Sequence, residues 1–482
     1  MKRFTILAIM ALFLLGTVAT ASAVDLKASG SWRVSGNWWQ NRDMVSTDED
    51  ADDNFNVKQR ARTQFEFIAN ENLKGVLYTE IGDFYWGNGA GEVSGDSSDA
   101  IEVKSAYLDF IIPNTEVNIK AGLQGLALPG FVGGSPLFDD DVAGITFNAP
   151  ITDMVGVTGG WARLQDNEIG GSGDVENDKY AYNANSTTDD SGDNVDLAFL
   201  AVPLTFDGLQ FVPYFGYVWA GKAGQTDPWD GISNHQDWMT DVYGAAKNAT
   251  GDYKATGDAS AWYFGIPVQV SMFDPLVVSA DVHYGKMTID EGDDVTGGED
   301  VEIEGWLADL AVEYKMDMMT PMVFASYSTG LDEDDYEDGE FGIYPAIDGC
   351  WTVDTMLTDN SALGQDLELY QPVSMWTVGA RLKDISFVED LSHEVGIIYA
   401  RGTSDNKVAN FAGADGDVHL LNEDESLWAA DFTTEYMIYE NLAAIAELGY
   451  AKYSADFEDS SVDEDDFEDS VYKGVIGLKY DF

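Results

Sequence analysis

Apolar and polar residues alternate with a period of two in the last segment of the chain. One set of alternate positions is Tyr472, Gly474, Ile476, Leu478, Tyr480 and Phe482, and the interleaved set is Lys473, Val475, Gly477, Lys479 and Asp481. Residues two apart in a β-strand project from the same face, so one face of this strand is apolar and aromatic while the other carries charge. This pattern is typical of a strand with lipid on one side and water on the other. An edge strand of a soluble sandwich is the alternative interpretation.

The same alternation recurs throughout the sequence. In the first such segment, Trp32 and Val34 flank Arg33, and short turns such as Pro113–Thr115 alternate with long connections rich in Asp, Glu, Gly and Ser. Because each membrane-spanning strand needs about 9–11 residues, we count about 18 strands, joined by about nine short turns and about nine long loops. About 16 strands are the alternative, if a weak segment such as Met322–Ser328 does not form a strand.

This organisation predicts an all-β protein. Residues 24–482 are expected to form a single transmembrane antiparallel β-barrel, with short periplasmic turns and long acidic extracellular loops. Residues 1–23 have the features of a secretory signal peptide: basic Lys2 and Arg3, an apolar stretch, and the small-residue cleavage site Ala21-Ser22-Ala23. We therefore expect export, a mature chain that begins at Val24, and location in a bacterial outer membrane.

Acidic residues dominate the predicted loops. The formal net charge is −61, and acidic runs such as those that begin at Asp48 and Asp463 fall between the predicted strands. A charge of this sign excludes a nucleic-acid partner. Asp48, Asp50 and Asp52 offer oxygen ligands for a structural Ca²⁺ or Mg²⁺, which could bridge to lipopolysaccharide phosphates, although no stretch has the complete spacing of a calcium-binding loop. No other cofactor is expected.

The sequence does not predict an enzyme. A nucleophile would need a base, and of the four histidines only His283, beside Asp281 in a predicted strand, has a plausible place in a barrel lumen. An ordinary polar wall residue is the better interpretation of His283, and no G-x-S-x-G motif occurs. The single cysteine, Cys350, rules out an intramolecular disulfide and is expected to be an unpaired loop residue.

Two stretches carry a family resemblance. Residues from Arg60 read R-A-R-T-Q-F-E-F-I-A-N-E-N-L-K-G, and residues from Lys104 read K-S-A-Y-L-D-F-I-I-P-N-T-E-V. Both resemble the homotrimeric outer-membrane porins of sulfate-reducing, Desulfovibrio-type bacteria, and the likeness covers about the first third of the chain and the terminal strand. The resemblance implies a trimeric, water-filled diffusion channel without catalytic residues. In outer-membrane barrels of this kind, the barrel-assembly machinery recognises the terminal strand and its aromatic residues, here Tyr480 and Phe482.

The second predicted strand contains a row of basic residues. Lys58, Arg60 and Arg62 share one face, and this face must point into the lumen, because each cation would cost about 2–4 kcal/mol near the lipid midplane. Arg33, on the inward set of the neighbouring first strand, can join the row. We expect these four side chains to line the pore.

The connection of about residues 125–141 is expected to fold into the lumen as a constriction loop. Its apolar residues, Leu126, Leu128, Phe131, Val132, Leu137 and Phe138, would be exposed in an outer loop. Asp139, Asp140 and Asp141 would then oppose the arginines, and a basic wall facing an acidic loop creates a transverse field that screens solutes by polarity. In the alternative, these aspartates stay outside with the other acidic loops.

These expectations predict a porin for passive diffusion of small hydrophilic solutes and ions. A substrate-specific channel of about 18 strands, for anions, carboxylates or sugars, is the alternative. The expected partners are further copies of the chain, outer-membrane lipid with lipopolysaccharide, and the assembly machinery. Ion selectivity is left open, since acidic loops at the mouth attract cations while the basic row admits anions.

Overall fold

A computed structural model describes residues 24–42, 54–87, 101–165, 194–220, 258–290, 300–332, 340–367, 369, 372–406, 421–454 and 470–482. The expected signal peptide and the expected metal ligands Asp48, Asp50 and Asp52 lie outside these residues. Within the described residues, no helix is long and apolar enough to cross a membrane.

The described chain forms strands throughout. The strand segments are β1 Asp25–Gln40, β2 Asn54–Asn70, β3 Leu73–Tyr85, β4 Glu102–Ile111, β5 Asn118–Ala127, β6 Asp139–Thr152, β7 Val155–Gln165, β8 Val195–Ala201, β9 Leu204–Phe206, β10 Leu209–Phe211, β11 Tyr214–Ala220, β12 Ala259–Gly265, β13 Val268–Phe273, β14 Leu276–Ile289, β15 Val301–Tyr314, β16 Thr320–Ser328, β17 Glu340–Phe341, β18 Met375–Val388, β19 Leu391–Gly402, β20 Ser426–Tyr439, β21 Leu442–Ser454 and β22 Ser470–Asp481.

These segments build a closed antiparallel barrel of 18 strands. Each strand pairs with its neighbours in the sequence, and β1 pairs with β22 to close the barrel, with Trp32 opposite Tyr480. The short β17 pairs in parallel with β15 and does not belong to the wall. Because Thr320–Ser328 is a wall strand, the alternative of about 16 strands is wrong and the prediction of about 18 is confirmed.

Three wall strands are interrupted at prolines on neighbouring strands. The breaks between β8 and β9, β10 and β11, and β12 and β13 contain Pro203, Pro213 and Pro267. Proline has no N–H to donate to the ladder, so the pairing is lost locally. Each proline carbonyl still accepts a hydrogen bond of 2.9 Å from an adjacent strand, which keeps the wall continuous.

The two faces of the wall differ as the alternation predicts. On β22, Ile476 is 57% exposed on the outer face, whereas Val475 is 3% exposed on the inner face. Aromatic rings make contact across neighbouring strands on the outer face. Such pairs include Trp262–Tyr284, Tyr284–Trp306, Trp428–Tyr450 and Tyr450–Tyr472, with ring centroids 4.6–5.2 Å apart. Contiguous Trp and Tyr side chains are typical of the interface between membrane and water.

Two loops fold into the barrel. We call residues 128–138 inner loop A and residues 342–367 inner loop B. Many of their apolar side chains are at most 3% exposed, and these include Leu128, Val132, Leu137, Phe138, Ile343, Tyr344, Trp351, Met356 and Leu357. Inner loop A lies within residues 125–141, where the sequence predicted an inward-folded constriction loop, and its role as a constriction stays a prediction. Inner loop B was not predicted.

The two inner loops are joined through their backbones. The N–H groups of Ile347 and Asp348 donate to the carbonyl of Leu137, both at 3.1 Å. Farther along, the Cys350 N–H donates to the Ser135 carbonyl at 2.8 Å. The loops therefore form one inner layer, held against the wall by its own hydrogen bonds and by buried apolar contacts.

Candidate channel constriction

A row of basic side chains crosses three neighbouring strands on the inner face of the wall. Arg33 of β1 lies opposite Arg60 of β2 on one side and opposite Lys479 of β22 on the other. Lys58 and Arg62 lie two residues before and after Arg60, so they project from the same face. We call these five residues the basic row. The interleaved positions carry the exposed apolar side chains of the outer surface, so the row faces inward.

The basic row is accessible to solvent, whereas the inner face on another part of the wall is covered. Arg33 and Arg60 are half-exposed, and the side chain of Arg62 is 27% exposed. In contrast, Asp281 and His283, on the inner face of β14, are 0% exposed beneath the inner layer. Water therefore reaches the inner face of the wall along β1 and β2.

The wall and the inner layer hold the cations of the basic row in place. Arg62 forms an ion pair with Glu80 of β3. The ammonium of Lys58 lies 5.7 Å from the centroid of the Tyr85 ring. The Arg33 guanidinium packs against Gly364 of inner loop B, so closely that a Cβ at Gly364 would lie 2.2 Å from Nη1 of Arg33. The row is therefore preorganised rather than a set of freely moving side chains.

The three aspartates that were expected to face the arginines from the constriction loop lie in a wall strand instead. Asp139, Asp140 and Asp141 begin strand β6 instead of lying in the constriction loop, so the expected loop boundary is wrong. Asp141 pairs with Lys104 of β4 at 2.6 Å. Alternation along β6 places Asp141 on the same face as Ile145, which is 54% exposed on the outside of the barrel.

Asp359 of inner loop B is a carboxylate of the inner layer that lies near the arginines. The residue as a whole is exposed, but partial burial of its carboxyl group raises its pKa above the usual range of aspartate. The thiol of Cys350 and the positive charges of the three arginines of the basic row act in the opposite direction. Asp359 was not predicted as a constriction residue, because the long connection that contains it was expected to lie outside the barrel.

Buried ion pairs fix inner loop B to the wall on one side. Arg381 of β18 contacts Asp354 of the loop at 3.1 Å and Asp431 of β20 at 2.7 Å. Thr355 of the loop donates a hydrogen bond of 2.6 Å from Oγ1 to Asp431. Arg381, Asp354 and Asp431 are at most 4% exposed, so these charges satisfy one another rather than water.

A second polar contact fixes the end of inner loop B. Lys473 of β22 pairs with Glu447 of β21 at 2.7 Å and also donates to the carbonyl of Thr355. Ser361 of the loop donates to Glu447 at 2.7 Å. Leu363 packs over Gly477 of β22, where a Cβ would approach within about 3 Å of the leucine methyl groups. Inner loop B therefore reaches the strands that carry the basic row.

A carboxylate of the wall binds the backbone of inner loop A. Oδ2 of Asp281 accepts hydrogen bonds from the backbone N–H groups of Phe131 and Val132, at 2.8 and 2.6 Å. Asp281 and His283 lie on the inner face of a wall strand, as expected for polar wall residues, and inner loop A covers them.

The environment of Cys350 makes it a poor nucleophile. The thiol is half-buried, and its Sγ lies 3.8 Å from Oδ2 of Asp359. Burial first, and then the negative charges of Asp359 and Asp139, raise the pKa of the thiol to about 12. A thiolate is the reactive form, so this cysteine is protonated at neutral pH.

The aromatic residues of the terminal strand lie on the outer surface at the closure of the barrel. Tyr480 and Phe482 are 38% and 41% exposed, and their rings stack at 5.6 Å. The Phe482 N–H donates to the Gly30 carbonyl at 3.0 Å, and the Gly30 N–H donates back at 2.9 Å. Their expected role in assembly stays a prediction.

Comparisons with known proteins identify the fold. No family profile and no curated protein matches the chain. OpdO of Pseudomonas aeruginosa is 11% identical, with a TM-score of 0.51 over 95% of this chain and 97% of that one. OpdL of the same organism is 10% identical, with a TM-score of 0.51 over 95% and 99%. OprD, an outer membrane protein of P. aeruginosa, is 11% identical with a TM-score of 0.48 over 94% of each chain. Identity this low shows a shared barrel fold and leaves the solute open.

Proposed function

We propose that this protein is an outer-membrane porin, a water-filled channel for passive diffusion of small hydrophilic solutes and ions. The proposal rests on the half-exposed basic row in a lumen that is otherwise partly filled by the inner layer. Solutes pass beside the basic row of the wall and Asp359 of the inner layer. Fixed charges of opposite sign across a narrow passage favour small polar solutes over apolar ones. No chemical step is involved.

A second candidate is a channel specific for small anions, including carboxylates. The observation that favours it is the direct opposition of Lys479, Arg33 and Arg60 on three adjacent strands. Like charges that face each other across strands destabilise a sheet, and a bound anion adds to the negative charge that Asp359 and Asp481 already supply there. Arginine also binds carboxylates with two parallel hydrogen bonds.

The outer-membrane location and a homotrimeric state belong to the same proposal. The apolar outer face and its aromatic contacts support insertion into a membrane. The Lys104–Asp141 ion pair supports a subunit contact, because Asp141 shares the outer face of β6 and charged groups are costly against lipid. Chemical cross-linking of the protein in detergent, compared with a heat-dissociated sample, tests the trimer.

Planar-bilayer recordings test the function. Refolded protein is expected to give stable conductance steps, grouped in threes for a trimer, with a modest reversal potential under a KCl gradient. A general porin conducts chloride and small carboxylates alike. Block of the chloride current by one class of carboxylate would favour the specific channel instead, and absence of steps would contradict both candidates.

A further inference from the structure

The interior behind inner loop A contains a cluster of polar side chains that the proposed channel does not use. Asp281 and His283 lie two residues apart on the inner face of β14, and Asp309 of β15 lies directly opposite Asp281. Their exposed fractions are 0%, 0% and 3%. Neither carboxylate forms an ion pair with a Lys or Arg in the described parts of the chain.

Several polar atoms of this cluster have no hydrogen-bond partner. They are Oδ1 of Asp281, Nε2 of His283, and both carboxylate oxygens of Asp309. Buried polar atoms are normally hydrogen-bonded, and two buried carboxylates facing each other without a cation are strongly unfavourable. One atom from each of the three residues lies within 4.8 Å of the others. The three side chains are therefore close enough to bind one ion together.

We propose that Asp281, His283 and Asp309 bind one first-row divalent metal ion, such as Zn²⁺. The ion neutralises the two carboxylates and gives the unpaired atoms a partner. An imidazole nitrogen with two carboxylate oxygens is a donor set that suits Zn²⁺ or Fe²⁺ better than Ca²⁺, which takes only oxygen ligands. Ligands at about 2.0–2.2 Å from such an ion lie about 3.5 Å apart, so a small inward movement of the side chains completes the site.

The groups around the cluster orient the ligand atoms. His283 Nδ1 lies 2.9 Å from the hydroxyl of Tyr214, which leaves Nε2 for the ion. Oδ2 of Asp281 accepts hydrogen bonds from the backbone of inner loop A, so Oδ1 is the oxygen that can bind the ion. Metal-binding histidines and carboxylates typically have their second atom fixed in this way. The site is structural: it connects the strands β14 and β15 to inner loop A through Asp281.

The burial of the cluster determines how the ion must be supplied. The ligands are at most 3% exposed, so we expect the ion to enter during folding. The test uses full-length mature protein refolded with Co²⁺ as the probe, followed by a wash with millimolar Mg²⁺. Magnesium competes for the many surface carboxylates, whereas it does not readily replace an ion held by imidazole.

The expected result is about one Co²⁺ retained per chain, with visible absorption of a site of low coordination number. His283→Gln and Asp309→Asn should each lower Co²⁺ retention at least tenfold. His393→Gln is the matched control, because His393 of β19 stacks on Phe432 at 5.7 Å and takes no part in the cluster. Its retention should equal that of the wild type.

Two results would overturn the proposal: no Co²⁺ retained by the wild type after the wash, or equal retention in all four proteins. The second result would assign the ion to the acidic loops. If Asp281 and Asp309 share a proton instead of binding an ion, the wild type should retain no Co²⁺. In that case Asp309→Asn should also stabilise the barrel. If His283→Gln fails to fold, the wild-type measurement and the nearly isosteric Asp309→Asn still decide. None of these readouts depends on conductance, so the channel is tested separately.

Discussion

The guanidinium of Arg381 on the wall meets the carboxylate of Asp354 on inner loop B at 3.1 Å, in a region from which water is excluded. Arg381→Met would remove the cation and leave the negative charges of Asp354 and Asp431 buried together. Breaking a buried ion pair by removing one partner costs about 3–5 kcal/mol. We expect a loss of this size in the free energy of unfolding in urea, followed by tryptophan fluorescence in detergent micelles.

The control for this prediction is Arg401→Met. Arg401 forms an ion pair of 3.4 Å with Asp424, and their side chains are 42% and 39% exposed. Such an exposed pair contributes at most about 1 kcal/mol. Equal effects of the two substitutions would show that inner loop B does not depend on Arg381.

Glycine at position 364 allows Arg33 to lie against inner loop B. Gly364 has a φ of +63°, and a Cβ there would overlap the Arg33 guanidinium. Gly364→Val is expected to displace the arginine and the loop end, with an added cost of about 1–3 kcal/mol for the overlap. Noisier single-channel currents should accompany this loss of stability.

Gly87 offers a matched control, because its φ is +81° and nothing lies within 4 Å of a Cβ built there. Gly87→Val carries the backbone cost of a positive φ, about 1–2 kcal/mol, without the overlap. The double variant with Arg33→Ala should recover part of the Gly364→Val loss. If Gly364→Val and Gly87→Val behave alike, the contact with Arg33 does not matter.

Replacing the basic row should change ion selectivity. Arg33→Ala with Arg60→Ala removes two positive charges from the solvent-accessible side of the constriction and leaves Asp359 opposite. The reversal potential under a salt gradient should move toward cation preference. Lys120→Ala, on the inner face of β5 and away from the row, is the control. Arg62→Ala is a less direct test, since it also releases the negative charge of Glu80. An unchanged reversal potential would show that the basic row does not determine ion selectivity.

The pH dependence of selectivity should report Asp359. Its pKa is raised by burial, so the carboxylate takes up a proton at a higher pH than an ordinary aspartate as the solution is acidified. Protonation removes the negative charge that faces the basic row, so anion preference should rise as pH falls. Asp359→Asn should show this preference already at neutral pH and should lose the pH dependence of the wild type. A shift that persists in Asp359→Asn would point to another group.

The sequence predicted the barrel wall well, because the wall follows local rules. Alternation along β22 and the cost of placing Arg60 in lipid fixed which face points inward. The burial of Leu128 and Phe138 was predicted because apolar side chains are unfavourable when they are exposed to water. Inner loop B was missed although the same reasoning applies to it, since Ile343, Tyr344 and Trp351 would also be exposed outside. The acidic run that begins at Asp332 precedes inner loop B in the same connection, and such runs favour an outer loop.

The charges of the constriction were harder to predict than the wall. Whether Asp139 or Asp359 faces Arg60 depends on how two loops, more than 200 residues apart in the sequence, pair through their backbones. Local periodicity carries no information on such pairing. The same limit applies to the Asp281–Asp309 pair, whose opposition depends on the register of β14 against β15.

Cys350 provides a chemical measure of how tightly the inner layer is packed. With a pKa of about 12, its thiolate fraction at about pH 8 is roughly 10⁻⁴, about three orders of magnitude below that of an ordinary thiol. Since the chain contains no other cysteine, maleimide labelling reports this residue alone. Labelling should be at least a hundredfold slower in the folded barrel than in urea, and Asp359→Asn should accelerate it in the folded state. Labelling at the same rate in both states would mean that the thiol and its acidic neighbours are open to water, and that inner loop B is not packed between the basic row and inner loop A.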